Sequence, residues 1–500
     1  MPKRTTVLPL ALAPRGSRVP AARWLATALR AEILDGRLRA GSRLPATRDL
    51  ARQYGLSRGT IVSAFEELKS EGYIVGTVGS GTYVNKTLPD ELFQVPRGAA
   101  PSVSQQRVKR RRVSDFCERV EFFPGFAKGA ARAFRTAQPA LDLFPTTLWA
   151  QLASRRLRRA TAAMLLECEP MGYGPLRQAV SDYLTTSRGV RCTVDQVAIV
   201  SGVQETLDLM GRIFLNPGDR VCMEDPGYIG ASCLFDAFGV TITGLPVDEE
   251  GMRVPPSRLR DVRLVHVTPG HQFPLGASMS LPRRLALLEW ARSSGALIFE
   301  DDYDSEYRYT GRPLPALQGL DRNGVVLFAG TFNKVMFPSL RLGYVVMPSD
   351  VVERFEAVRS VTTRHPTMLD QAVLCDFITE GHLGRHIRRM REVYAERLSA
   401  LLESARAELA GLLEISNIEA GLQTVGWLRN GIDGRAAATA AAARDVEAIA
   451  LSRYARGRTM REGLLLGFAA VDTREIRRGV RELGVALEGL CKSAGRGRLI

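Results

Sequence analysis

Cysteine is scarce in this 500-residue chain, and the seven present (Cys117, Cys168, Cys192, Cys222, Cys233, Cys375 and Cys491) are widely spaced with no Cys-x-x-Cys pair. That argues against a disulfide ladder and a cysteine zinc site, and fits a reducing cytoplasm. Long apolar runs are also missing, since nothing approaches the roughly 20 residues a membrane-spanning helix needs. The opening MPKRTTVLPLALAPRG imitates a signal peptide, but its apolar run from Val7 to Ala13 is short and broken by Pro9. Residues 1–19 therefore read as a lead-in strand or arm. There is no tandem repeat of fixed period. At 45% hydrophobic and 24% charged the composition is that of a globular chain of two or three domains, against disordered and fibrous classes.

What the chain has in excess is positive charge. Of the net +15, residues 1–112 contribute +12, from 20 Lys and Arg against 8 Asp and Glu. A polyanionic partner for the N-terminal part follows. Within it, Trp24, Leu25, Ala28, Leu29, Ile33 and Leu34 recur at helical spacing between Arg23 and Asp35, with Gly36 as a stop. A second helix is predicted from about Thr47 to Tyr54, entered through Pro45, capped by Thr47 and ended by Gly55. A third starts at Ser57, an N-cap, and turns Ile61, Ala64, Phe65 and Leu68 to one face. YIVGTVGSGTYV then reads as a hairpin with a glycine-rich tip. Three helices and a hairpin over residues 20–85 are the order of a winged helix-turn-helix. Ser57, Arg58 and Thr60 stand at the N-terminus of the third helix, where a recognition helix presents polar and cationic groups. Arg48, in the first turn of the second, is placed to clamp a phosphate or reach a guanine edge. Gly79 and Gly81 let the tip approach a minor groove closely.

The combined LPATRDLA, LSRGT and EGYI segments closely resemble the DNA-binding domain of the GntR family of bacterial regulators. The resemblance implies that Arg48, Ser57, Arg58 and Thr60, with the wing at Gly79 and Ser80, contact double-stranded operator DNA. Gly59 offers no side chain where relatives often carry a polar one, which reduces the scope for base readout there. Periodicity then stops, and residues 86–114, rich in Pro, Ser, Gln and Arg, read as a flexible basic linker.

From residue 115 to 500, β-branched runs (QVAIVS, DRVCME, RLVHVTP, ALIFEDD, VVLFAG) alternate with amphipathic helices, which predicts an α/β domain with a mainly parallel sheet. Lys334 follows the run VVLFAG in a turn, with Thr331 three residues before it and Arg341 seven after. A lysine so placed can form a Schiff base while Thr331 and Arg341 hold phosphate oxygens. Asp301 closes another strand, where a carboxylate can pair with a pyridinium nitrogen, and Tyr303 can hydrogen-bond a ring oxygen. IVSGVQETLDLM is strand, glycine turn and helix, so the amides of Gly202, Val203 and Gln204 can cradle a phosphate at a helix N-terminus. Tyr228 in EDPGY offers an aromatic wall.

Residues from about 120 to 490 resemble fold type I aminotransferases, and the two-part chain, with its segments TPGHQFPLG, EDDYDSEYRY, PLPALQGLD, FPSLRLGY and LLLGFA, resembles the MocR subfamily of GntR regulators. That resemblance implies pyridoxal 5'-phosphate as cofactor. It makes Lys334 the internal-aldimine lysine, Asp301 the pyridine partner, Tyr303 the ring-oxygen donor, Tyr228 the stacking residue and Arg341 a phosphate ligand. It also implies a cytoplasmic, head-to-tail homodimer that senses an amine, an amino acid or the cofactor itself by aldimine exchange. The chain departs from aminotransferases at Phe273, where they usually carry asparagine, and at Asn333, where serine commonly precedes the lysine. Glu167 and Cys168 stand near the position where relatives commonly reach the partner's phosphate with a tyrosine. An active aminotransferase with an appended DNA-binding head is the competing expectation, and a repressor with a vestigial site the third. Arg453, Arg456, Arg458 and Arg461 compete to receive an effector carboxylate, and the sequence ranks none above the others. His382 and His386 lie four apart but lack an evident third ligand, so no metal site is expected.

Overall fold

The computed structural model describes residues 12–15, 19–77, 80–88, 111–123, 129–166, 169–256, 259–309, 315–415, 418–457 and 460–496. The chain forms two compact units, Met1–Arg111 and Arg112–Ile500. In the first, three helices, α1 (Ala21–Leu34), α2 (Thr47–Tyr54) and α3 (Arg58–Ser70), precede an antiparallel hairpin of β1 (Ile74–Thr77) and β2 (Gly81–Val84). Leu25, Ala26, Leu29 and Ile33 of α1 pack with Leu50 of α2 and with Ile61, Ala64, Phe65 and Leu68 of α3. Two details differ from the sequence reading. Leu34 is exposed and Ala26 buried instead; at about 100° per residue Leu34 stands half a turn from Leu25, beyond the apolar stripe. Ala46, not Thr47, is the extended residue before α2, and no side chain caps that helix. Gly55 does end α2 in the left-handed conformation, with φ 62°. Residues 12–15 carry no strand, but Ala13 accepts a hydrogen bond from the Trp24 indole at 3.1 Å. The rest of the lead-in expectation and most of the linker lie outside the described residues.

The second unit is built on an eight-stranded sheet in the order β3-β10-β9-β8-β7-β4-β5-β6. Its strands are β3 (Val197–Val200), β4 (Arg220–Asp225), β5 (Thr241–Asp248), β6 (Gly251–Met252), β7 (Val262–Val267), β8 (Leu297–Asp302), β9 (Val326–Thr331) and β10 (Gly343–Val346). The run β5-β4-β7-β8-β9 is parallel, while β10 runs antiparallel to β9 and β3. Most central positions are buried, as parallel strands covered on both faces require. A second, antiparallel sheet follows in the order β11-β12-β14-β13, from β11 (Leu413–Ile415), β12 (Gln423–Leu428), β13 (Ile449–Ala450) and β14 (Gly463–Gly467). Helices His382–Glu408 and Thr473–Arg496 supply much of its core.

The segment 133–137 runs beside this smaller sheet and is held close. Phe134 bridges Gly467, and a Cβ at Gly467 would fall 1.9 Å from the Arg135 carbonyl oxygen. Phe134 and Ala137 both take positive φ, 70° and 60°, a conformation that costs a non-glycine residue about 1 kcal/mol or more. The surrounding contacts sustain it, and its effect is to aim the Ala137 carbonyl at Lys334.

Candidate functional site

The carboxyl ends of β3, β4, β8 and β9 share one edge of the large sheet, the edge at which open α/β sheets take their ligands. A cavity of about 560 Å³ lies there, and Val203, Gln204, Tyr228, Asp301, Tyr303, Thr331, Lys334 and Arg341 all line it. Gly202 sits just behind, with φ 130°, as the residue before helix Val203–Phe214. A Cβ there would come 3.4 Å from Asn333 Nδ2 and 3.8 Å from an Arg341 guanidinium nitrogen. Glycine thus leaves the helix N-terminus open to the space that Arg341 faces. Among the described residues Arg341 has no ion-pair partner, so a cation stands free beside unpaired helix amides.

Lys334 is three residues beyond β9, and its Nζ donates to the Ala137 carbonyl at 2.6 Å. Burial pulls its pKa down to about 8, against the opposing attraction of Asp304 and Asp301. A buried amine near neutrality is the form a nucleophilic lysine needs. Asp301, itself buried, is backed by His266, whose Nε2 lies 3.6 Å from Asp301 Oδ2. His266 is stacked between Phe299, at 5.6 Å and 14°, and Tyr228, at 6.3 Å and 26°. Burial raises the phenols of Tyr228 and Tyr303, with Asp301 adding to both, so both keep their protons.

The head carries its candidate residues differently. Arg48, Ser57 and Arg58 are exposed, and Thr60 partly so. Ser57 Oγ accepts the Thr60 amide at 3.1 Å and lies 2.8 Å from Thr60 Oγ1, so this pair caps α3 while Arg58 stands exposed at its first turn. Ser80 is exposed and its hydroxyl meets that of Tyr83 at 2.6 Å, while Gly79 lies outside the described residues.

Residues 16–84 match the family model "Bacterial regulatory proteins, gntR family", and residues 144–482 match "Aminotransferase class I and II". The chain is 38% identical, over 95% of both chains, to the probable rhizopine catabolism regulatory protein MocR of Rhizobium meliloti. This chain is a MocR-type member of the GntR family. It is also 30% identical to the pyridoxine biosynthesis transcriptional regulator PdxR of Corynebacterium glutamicum, over 96% of this chain and 98% of that one. Among solved structures it resembles a kynurenine aminotransferase of Pyrococcus horikoshii, at 26% identity and TM-score 0.67 over 77% of this chain and 96% of that one. The α-aminoadipate aminotransferase LysN of Thermus thermophilus, complexed with a phosphopyridoxyl-leucine, gives 28% identity and TM-score 0.66 over 76% of this chain and 96% of the other. As a MocR-type protein the chain is a DNA-binding transcription regulator that pairs a winged helix-turn-helix with a fold type I domain, and its cofactor is pyridoxal phosphate.

The cavity of this MocR-type chain fits that cofactor on its own chemistry. It offers an amine, a buried carboxylate, a phenol, an aromatic wall and a free guanidinium at a helix N-terminus. Gln204 Oε1 and Asn333 Oδ1 are also buried beside it with no hydrogen-bond partner among the described residues. Sequence reasoning missed several lining residues, notably Ala137, Asp304, and Arg135 paired with Glu447 at 2.5 Å. No local motif marks them, because they reach the cavity from distant segments. The structure also separates three of the four arginines. Arg453 lines the cavity, whereas Arg456 pairs with Asp236 at 2.8 Å and Arg461 with Glu414 at 3.1 Å and with the Trp427 ring. Arg458 lies outside the described residues. His382 meets Glu380 at 3.3 Å, and His386 Nε2 meets the Val335 carbonyl at 3.0 Å.

Proposed function

We propose that this regulator senses a primary amine or amino acid, or pyridoxal phosphate itself, by exchange at Lys334, and that the outcome sets how its head holds operator DNA. The observation that carries this reading is the convergence on one cavity of a lysine amine and two open arginines, Arg341 and Arg453. Arg341, with the amides of Gly202, Val203 and Gln204 and the Thr331 hydroxyl, would hold the cofactor phosphate. Asp301 would hold a proton on the pyridine nitrogen, Tyr303 would donate to the ring oxygen, and Tyr228 would cover the ring face. Pyridoxal phosphate supplies an electrophilic aldehyde on an electron-withdrawing ring. Lys334, with a pKa of about 8, holds a useful fraction of neutral amine at physiological pH. Arg453 would receive the carboxylate of an amino-acid effector at the cavity wall. Arg48, Arg58 and Thr60, with the wing at Ser80, would contact the operator. Ser57 would then act chiefly through the helix it caps.

A head-to-tail homodimer is part of the proposal, as is a bacterial cytoplasmic location. Leu165, Leu166 and Val361 are 75%, 73% and 82% exposed, apolar surface that a second copy would cover. None of the described helices is long and apolar enough to cross a membrane. The domain limits proposed are an arm (1–19), a head (20–85), a linker (86–114) and the cofactor domain (115–500).

The test is a screen of amines and amino acids against the cofactor-loaded protein by visible absorbance, followed by operator binding with each hit. Hits that change operator affinity or footprint support the reading. A second reading, a working aminotransferase with an appended head, is favoured by the presence of both Lys334 and Asp301 at the cavity, and sustained keto-acid formation would establish it. Spectral hits that leave operator binding untouched would sink the sensing proposal.

A further inference from the structure

Behind Tyr303 lies a buried pair that its role as ring-oxygen donor does not use. His271 Nδ1 stands 3.1 Å from both carboxylate oxygens of Asp304 and 3.0 Å from the Tyr303 hydroxyl. Asp304 is 1% exposed and His271 5%. One nitrogen thus faces three oxygens, and it either carries a proton to donate or a lone pair to accept with. As a carboxylate, Asp304 can only accept, so the arrangement is satisfied when Nδ1 carries the proton. Tyr303 then finds no lone pair at Nδ1, and its own hydroxyl proton must turn elsewhere. The direction left to it is the cavity that Tyr303 lines.

The imidazole is held so that it cannot turn. A Cβ at Gly421, φ 95°, would fall 2.1 Å from His271 Cε1, and one at Gly276, φ 82°, would fall 3.2 Å from Nε2. Glycine at both positions lets the backbone close on the ring. Nε2 is buried with no hydrogen-bond partner among the described residues, which suits an unprotonated acceptor better than an N–H, whose burial unpaired is the costlier case. Phe273, whose ring meets Tyr303 edge-on at 5.9 Å, brings no hydrogen-bond donor to that end of the cavity. The direction of the Tyr303 proton therefore carries more weight than it would with asparagine at 273.

We infer that His271 and Asp304 are positioning residues: Asp304 fixes the Nδ1-protonated tautomer of His271, and this tautomer turns the Tyr303 hydroxyl proton into the cavity, toward the cofactor ring oxygen. The inference rests on the reading of Tyr303 as ring-oxygen donor. Asp304→Asn keeps the shape but no longer demands a proton on Nδ1, whose lone pair then becomes available to draw the Tyr303 proton away.

Two measurements test it. In the full-length apoprotein with 15N-labelled histidine, His271 is expected to show a protonated Nδ1 and a bare Nε2, and Asp304→Asn is expected to reverse them. In the cofactor-loaded protein, visible absorbance is titrated against pH for wild type, Tyr303→Phe, His271→Phe, Asp304→Asn and the Tyr303→Phe/Asp304→Asn double variant. Loss of a donor to the ring oxygen leaves more negative charge beside the lysine nitrogen and raises its proton affinity. Tyr303→Phe should raise it by about threefold to tenfold, the worth of one hydrogen bond. Asp304→Asn also removes a charge that favours a proton on the lysine nitrogen, so the double variant is compared with Asp304→Asn alone, and the two should agree. An Nε2-protonated wild type overturns the inference, as does an additive double variant. A Tyr303→Phe shift of the same size with Asp304 or with Asn at 304 overturns it while leaving the role of Tyr303 intact, and no shift in Tyr303→Phe removes that role and the inference together. If His271→Phe fails to fold, the wild-type tautomer and the Asp304→Asn arms still decide.

Discussion

In the head, Arg48, Ser57, Arg58 and Thr60 lie within 13 residues of sequence and stand at the surface. In the cofactor domain, Val203, Tyr228, Asp301, Lys334, Arg341 and Arg453 span some 250 residues and meet in one cavity. The difference follows from the ligands. A duplex is a long polyanion that draws cations from a distance, so a basic helix end and a wing suffice for affinity. A small cofactor must be touched from several sides at once, and that requires strands and turns to converge on one edge of a sheet.

Replacing the one group the cavity cannot do without should divide the two regions most sharply. Lys334→Ala is expected to abolish the lysine-linked visible absorbance of the loaded protein while leaving operator affinity without effector within about twofold; a head that lost its DNA affinity as well would break the comparison. Arg341→Gln is expected to weaken cofactor binding by about 10- to 100-fold, the worth of charge-assisted hydrogen bonds to phosphate, measured by fluorescence titration of the apoprotein. Acidity should act on the body alone: Lys334 is neutral above its pKa of about 8, so the rate of cofactor capture should rise with pH and level off above it. Stopped-flow rates should gain about tenfold between pH 7 and pH 9 and should not follow the ordinary lysine range.

The head should respond more gradually. Arg58→Ala is expected to cut operator affinity by about tenfold and make its dependence on salt shallower by about one unit of slope, as read by fluorescence anisotropy at several ionic strengths. Smallest is Ser57→Ala, which removes the cap on α3 and should cost about 1 kcal/mol of head stability. An unchanged melting point together with lost DNA affinity would instead make Ser57 a direct contact.

Much of both regions was legible in the primary structure. The three helices, the hairpin and five of the sheet strands follow from periodicity. Two misreadings in the head, Leu34 as inward and Thr47 as a cap, turn on a single residue's angle about a helix axis. That is where local pattern gives way to packing. In the body, the antiparallel β10 carries no local mark distinguishing it from a parallel strand, because direction is set by the connection and the neighbours.

By itself, the amino-acid sequence determined what was contiguous: the LSRGT helix start, the lysine after a β-branched run, and the aspartate at a strand end. Each is a chemical function tied to a short-range conformational preference. Only the tertiary structure decided what met across distance. It brought Arg453 to the cavity wall, set the Ala137 carbonyl against Lys334 across 197 residues, and placed His271 and Asp304 behind Tyr303. Such contacts depend on how sheet, loop and second sheet close around one cavity, and no window of sequence contains that closure.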